Sequence, residues 1–169
     1  FATPSSQTPW QLSLAMLAYS FQIYFDFSGY SDMAIGVGRL LGYHFPENFE
    51  HPYRSKSFSE FWNRWHISLS SWLRDYLYIP LGGSRGGTWM KVRNTFAIFL
   101  VSGFWHGANW TFIIWGALNA IYFLPLLLAN KNRANSGIVA EGRLIPSVKD
   151  ILNITSTFLL TVLAWVFFR

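Results

Sequence analysis

Long apolar stretches, separated by short polar or glycine-rich segments, set the pattern of this chain. The first, residues 10–25, holds no charged residue and predicts a helix of sixteen residues. A bilayer core needs about 20 apolar residues in a helix, so this span either stays short or continues into residues 25–43. Two further apolar stretches, 94–129 and 152–168, also predict helices.

Residues 25–43 remain apolar but contain Asp26, Asp32 and Arg39. Ser28, Asp32 and Arg39 are spaced by four and seven residues, which places them on one helix face. Charges at membrane depth normally face a protein interior or a wet cavity and pair with one another. The spacing leaves two interpretations open, an interhelical ion pair and a functional path.

Residues 57–80 predict one amphipathic helix that begins at a capping box formed by Ser57 and Glu60. His66 lies at the border of its apolar face. Such a tryptophan-rich helix suits the membrane interface or the surface of other helices better than a span through lipid. The apolar face holds Phe58, Phe61, Trp62, Trp65, Leu69, Trp72, Leu73 and Tyr76. A flexible, glycine-rich turn follows at 81–88.

The sequence FWHGANW, residues 104–110, interrupts the apolar stretch 94–129. One helix over that stretch would be about 54 Å long, against a hydrocarbon core of about 30 Å. We expect a break at 103–109, after a half-helix over 95–104 of about 15 Å and before a near-complete span over 111–129. If the basic segments 85–93 and 130–150 share the cytoplasmic side, the chain between them is a hairpin or re-entrant.

Composition supports a membrane protein, because 51% of residues are hydrophobic, 20% aromatic and only 12% charged. Average soluble domains carry about 25% charged residues. The net charge of +5 comes from bases between apolar stretches, which is typical of cytoplasmic loops and does not indicate nucleic-acid binding. There is no cysteine, so disulfides and thiolate catalysis are excluded.

Histidine is the main candidate for chemistry. An ionisable group at membrane depth is a functional hypothesis by default, and this makes His106 a candidate base. The alternative is a core histidine bonded to Asn109 or to a backbone carbonyl. His66 is undecided on spacing alone, and His44 and His51 are expected to be solvated. No metal is expected, because the histidine spacings match no compact ligand motif. Two histidines with no activated serine or cysteine suit direct transfer of an acyl group to an external hydroxyl.

Three runs in the expected order resemble the membrane-bound O-acyltransferase family and, within it, the bacterial alginate O-acetyltransferase branch. They are FDFSGYSDMAIGVGRLLGYHFPENFEHPY, EFWNRWHISLSSWLRDYLYIPLGGSRGG and SGFWHGANWTFIIWGALNA. The resemblance covers about residues 19–128. It implies an all-α, polytopic integral membrane protein with short or re-entrant and interfacial helices. Residues 1–169 would be the central fragment of one membrane domain in the bacterial inner membrane.

The resemblance also implies a site. His106 lies in the family's Trp-His-Gly context and His66 in its Trp-His-Ile-Ser-Leu motif, so both are expected to be catalytic. The supporting residues are expected to be Asp26, Asp32, Trp105, Asn109, Arg74 and Asp75. Acetyl-CoA is the expected donor, with no bound cofactor. The acceptor is expected to be an exported polysaccharide or a periplasmic acetyltransferase subunit.

Three alternatives remain at this stage. One is a transferase that moves D-alanine from a carrier protein to teichoic acid. A second is a transporter in which Asp32, Arg39 and His106 line a proton or solute path. The third is a structural membrane scaffold, in which replacing His106 would affect stability rather than turnover.

Overall fold

A computed structural model describes residues 7–131 and 146–168 of the chain. Their secondary structure is helical, and the described ranges contain no β-strand, which confirms the predicted all-α class. The chain divides into two compact units, Phe1–Glu47 and Asn48–Arg169. That the chain is part of a single membrane domain stays a prediction.

The first unit is built on one helix, α1, from Pro9 to Leu40. Thr8 caps it, because its hydroxyl accepts from the Gln11 backbone N–H while the Gln11 side chain accepts from the Thr8 N–H. The first apolar stretch therefore continues through residues 25–40 without a break. The helix ends just before Gly42, whose φ of 82° is a left-handed conformation that glycine tolerates best.

The single helix expected over 57–80 is wrong. Two seven-residue helices occupy this segment, α2 (Phe58–Arg64) and α3 (Ile67–Leu73), and a π-helical turn follows at Arg74–Tyr78. The predicted start is confirmed, because the Ser57 hydroxyl accepts from the Glu60 backbone N–H at the first turn of α2.

Pairing with residues 48–50 explains the break between α2 and α3. The Glu50 N–H donates to the Arg64 carbonyl, and the Ile67 N–H donates to the Asn48 carbonyl, each at 3.0 Å. These bonds flank an antiparallel bridge between Phe49 and Trp65, which holds Trp65 extended. His66 follows with a φ of 46°. Helical periodicity did not reveal the break because the competing hydrogen bonds come from a distant segment.

Helices α4 (Thr88–His106) and α5 (Trp110–Leu128) form an antiparallel hairpin, joined by residues 107–109. The predicted break is confirmed, but the half-helix is wrong. Helix α4 has 19 residues, about 28 Å, because it begins in the basic segment before 95. Gly103 lies against the backbone of Phe112, and Gly116 lies against the backbone of Phe99. Small residues at these two points let the helices approach closely.

The last helix, α6, runs from Val148 to Phe168 and begins four residues before the predicted start at 152. Ser147 and Asp150 close its first turn, because the Ser147 hydroxyl accepts from the Asp150 N–H and donates to the Asp150 carboxylate. Helices α5 and α6 are long and apolar enough to cross a membrane. Arg133 and Arg143 of the predicted basic loop lie outside the described residues.

Candidate functional site

His106 is the last residue of α4 and is surrounded by aromatic rings from three helices. Its imidazole centroid lies 5.0 Å from that of Trp105, 5.3 Å from Trp115 and 4.9 Å from Phe168. Phe112 is a fourth neighbour at 6.4 Å. The helix break at Gly107 leaves His106 at an end of the hairpin, where α5 and α6 supply the surrounding rings.

Trp105 connects the two predicted catalytic histidines. Its ring centroid lies 6.2 Å from that of His66 and 5.0 Å from that of His106, at an interplanar angle of 75° to each imidazole. The fold thus brings together residues that are 40 positions apart in the chain. Trp105 is 61% exposed, whereas both imidazoles are partly buried.

Further tryptophans extend these ring contacts into an aromatic circuit, which the backbone closes between Trp65 and His66. Trp115 stacks on Trp165 at 5.7 Å, and Trp165 lies 5.2 Å from Trp65, the residue just before His66. Trp115, Trp165 and Trp65 are each less than 5% exposed. This buried wall fixes the position of α6 relative to the segment that carries His66, so the site depends on four elements of the second unit.

Burial sets the charge state of His66, which lies outside the candidate membrane-spanning helices. Loss of water and, to a smaller extent, the nearby His106 together lower the pKa of His66 to about 4, against an opposing backbone hydrogen bond. His66 is therefore neutral near pH 7. A neutral imidazole has one nitrogen that accepts and one that donates a hydrogen bond.

Asn109 has a local structural role at the hairpin turn. Its side-chain oxygen accepts from the Thr111 backbone N–H at 3.2 Å and caps α5. This capping bond satisfies one of the free N–H groups at the start of the helix. The structure assigns Asn109 to the geometry of the turn that follows His106.

The four remaining predicted supporting residues lie in two separate parts of the chain. Asp26 and Asp32 are exposed on α1, in the first unit. Arg74 and Asp75 are exposed in the π-helical turn and bond to each other, with 2.7 Å between Arg74 Nε and Asp75 Oδ1. That bond lowers the pKa of Asp75. No ion pair joins Arg39 to Asp26 or Asp32 in the described part of the chain.

The sequence analysis did not assign Trp115, Phe112, Phe168 or Trp165 to the site. Helical spacing indicates which apolar residues share a face, but it does not show which ring meets a histidine on another helix. Phe168 is 62 residues beyond His106, and no local signal joins them.

Asn94 is another residue that the sequence analysis did not identify. It is fully buried, and its amide group donates to the carbonyls of Leu81 and Gly83, which anchors the glycine-rich turn.

The arrangement offers two partly buried imidazoles among aromatic rings. Within the described ranges, no three His, Cys, Asp or Glu side chains are grouped so that they could hold a metal ion. His44 and His51 are exposed, as expected. The chemistry that the site itself can supply is therefore proton transfer and hydrogen bonding by His66 and His106.

The chain matches known proteins along nearly its whole length. The model of the membrane-bound O-acyltransferase family matches residues 2–167. The Probable alginate O-acetylase AlgI of Pseudomonas aeruginosa is 51% identical over 166 residues, which is 98% of this chain and 29% of that protein. The Peptidoglycan O-acetyltransferase of Helicobacter pylori is 47% identical over 159 residues, 94% of this chain and 29% of that protein.

A more distant relative belongs to the D-alanyl class. The Teichoic acid D-alanyltransferase of Bacillus subtilis is 40% identical over 115 residues, 64% of this chain and 29% of that protein. The chain thus spans 29% of the length of each of these three relatives. Since the family model covers 2–167 and includes both site histidines, the chain belongs to the membrane-bound O-acyltransferase family.

Proposed function

We propose that this chain carries the catalytic histidines of a membrane O-acetyltransferase that modifies an exported carbohydrate polymer. The observation that carries the proposal is the contact of both His66 and His106 with one tryptophan, Trp105. The relatives named for O-acetyl transfer align over 94–98% of this chain and support the same reaction class. Their printed acceptors, alginate and peptidoglycan, are both carbohydrate polymers.

In the proposed reaction, His106 is the general base. It takes the proton of an acceptor hydroxyl, whose oxygen attacks the carbonyl carbon of an acetyl thioester. The new C–O bond forms as the C–S bond breaks, and the thiolate leaves and is protonated. Base catalysis of this kind typically contributes 10²- to 10⁴-fold. Acetyl-CoA is the proposed donor and is a substrate, so no resident cofactor is required.

The aromatic wall has a chemical purpose in this scheme. An acetyl thioester at the site can also react with water, which wastes the donor. Trp115, Phe112 and Phe168 surround the His106 ring with apolar surface and reduce the access of water.

The proposed location is the bacterial inner membrane, crossed several times by the full-length protein. This places the thioester donor on the cytoplasmic side and the carbohydrate acceptor, or a periplasmic acetyltransferase subunit that relays the acetyl group, on the other. The two apolar helices α5 and α6 support membrane insertion of this part.

Replacement of His106 by Ala in the full-length protein tests the assignment. We expect loss of the O-acetyl ester on the exported polymer, with normal levels of the protein in the membrane. The matched control is His44→Ala, which removes an exposed histidine outside the aromatic circuit. Undiminished acetylation by the His106 variant would refute the role of general base.

A second candidate is transfer of a D-alanyl group, which the 40% identical teichoic acid relative supports. Both reactions pass an acyl group from a thioester to a hydroxyl and would use the same base. Purified full-length protein, supplied in turn with acetyl-CoA and with a D-alanyl carrier protein, separates them. Transfer from acetyl-CoA alone favours the first proposal, and transfer from the D-alanyl carrier alone favours the second.

A further inference from the structure

Asn48 and Ser68 form a short hydrogen-bond network beside His66. The Ser68 backbone N–H donates to Asn48 Oδ1 at 3.1 Å, and the Ser68 hydroxyl donates to the same oxygen at 3.0 Å. A backbone N–H can only donate, so the atom that it meets must be the amide oxygen and not the amide nitrogen. The contacts therefore determine the orientation of the Asn48 amide.

The Ser68 hydroxyl also faces the His66 ring. Its oxygen lies 3.5 Å from His66 Nδ1, further than the 3.0 Å to Asn48 Oδ1. A hydroxyl has one hydrogen, and the shorter contact assigns it to the nearer acceptor, the amide oxygen of Asn48. Ser68 Oγ then presents a lone pair to His66 Nδ1. A favourable contact requires Nδ1 to carry the hydrogen, because two lone pairs that face each other repel.

We propose that Asn48 and Ser68 are positioning residues that hold neutral His66 as its Nδ1–H tautomer, so that Nε2 is the nitrogen that accepts a hydrogen bond from substrate. The inference rests on the proposed function only for the statement that substrate meets His66. It gives this histidine a specific role. Neutral His66 has no hydrogen on Nε2, so through that atom it binds a hydroxyl or thiol hydrogen and does not polarise a thioester carbonyl.

Backbone hydrogen bonds around this network hold its residues in place. The Asn48 carbonyl accepts from the Ile67 N–H at 3.0 Å, and the His66 carbonyl accepts from the Ser70 N–H at 3.0 Å. His66 itself has a φ of 46°, a conformation that is uncommon outside glycine and persists only where its surroundings hold it. Asn48 thus bonds to the two residues that follow this strained position, to Ile67 through its backbone and to Ser68 through its side chain.

Nitrogen NMR of the histidine side chains tests the proposal directly. The full-length protein, labelled with ¹⁵N-histidine in lipid nanodiscs, gives separate signals for protonated and unprotonated ring nitrogens. The His66 signals are those that disappear in the His66→Asn variant. At pH 7 we expect a protonated Nδ1 and an unprotonated Nε2. A neutral His66 with its hydrogen on Nε2 would overturn the proposal.

Three variants test whether Asn48 and Ser68 set the tautomer of His66. Ser68→Ala and Asn48→Leu should each move hydrogen occupancy from Nδ1 towards Nε2, whereas Ser68→Thr, which keeps the hydroxyl, should restore the wild-type signals. Ser70→Ala is the matched control, since that hydroxyl donates to the Trp65 carbonyl. Unchanged Nδ1 and Nε2 signals in both disruptive variants would show that the network does not set the tautomer.

Activity provides a separate readout. Loss of a tautomer-setting partner can cost as much as ~10⁴-fold in a catalytic triad, and for Ser68→Ala we expect a loss of about tenfold or more in acetyl transfer, with recovery in Ser68→Thr. The NMR experiment measures the tautomer of His66 whether or not the protein transfers acetyl groups, so its outcome does not depend on the proposed reaction. An inactive wild type with the expected tautomer would refute the proposed function alone.

Discussion

Gly103 in α4 lies so close to the carbonyl oxygen of Phe112 in α5 that a β-carbon at position 103 would overlap it. Gly116 stands in the same relation to the carbonyl of Phe99, so each helix of the hairpin contributes one glycine. His106 follows Gly103 by three residues, and Phe112 is one of its ring neighbours. The spacing of the two helices therefore determines where the His106 ring meets its aromatic neighbours.

Gly103→Ala should destabilise the protein and displace His106. The overlap is with backbone, which cannot swing aside as a flexible side chain can, and forced packing of this kind typically costs about 1–3 kcal/mol. Thermal unfolding of the full-length protein in detergent measures the effect. Gly29→Ala is the control, since a β-carbon there meets nothing within 4 Å. Equal unfolding temperatures for the two variants would contradict the close-packing argument.

Trp105 and Trp115 should respond differently to truncation, although both contact His106. Trp105 is 61% exposed, so Trp105→Ala should leave stability nearly unchanged while acetyl transfer falls by about 10²-fold, as for a misplaced catalytic group. Trp115 is 2% exposed, and its loss should cost about 3–5 kcal/mol in the free energy of unfolding. Unfolding and transfer assays on both variants test this. Full activity in Trp105→Ala would show that the Trp105 side chain has no role in acetyl transfer.

Replacement of Asn94 should loosen the glycine-rich turn. Asn94→Leu removes the amide hydrogens that bind the carbonyls of Leu81 and Gly83, and loss of the buried bond to Gly83 costs about 1–3 kcal/mol. Limited trypsin digestion should then cut faster after Arg85, which is exposed in that turn. The control is Asn63→Leu, an exposed position on α2. Equal cleavage rates in the two variants would show that Asn94 does not hold the turn.

Acid should destabilise the fold through His66. Its pKa is lowered to about 4 from the ordinary value of 6.5, so between these values the folded state binds fewer protons than the unfolded state. Stability from this group is therefore complete above about pH 6.5 and falls as the pH is lowered towards 4. His66→Asn should weaken the pH dependence of the unfolding temperature, and His51→Asn, at an exposed position, should not. An identical pH dependence in wild type and His66→Asn would contradict the burial of this imidazole.

The helical class, the start of α2 at Ser57 and the break after His106 were all predictable, because each depends on residues close in the chain. An apolar stretch too long for one span must break, and a glycine after the histidine is a suitable place. The division of 57–80 into two helices was not predictable from periodicity. It depends on hydrogen bonds from residues 48–50, which lie outside the segment and compete with the helix for the same backbone groups.

The sequence by itself determined the family of this protein and its two candidate histidines, since the motifs around His66 and His106 carry the resemblance. Only the tertiary structure decided how they are arranged. It placed Trp105 between them, enclosed His106 with rings from α5 and α6, and left Arg74 and Asp75 bonded to each other on the surface. The physical reason is that a side chain's identity is local, whereas its neighbours depend on close approach of distant backbones. Here that approach needs Gly103, Gly116 and the pairing of Phe49 with Trp65.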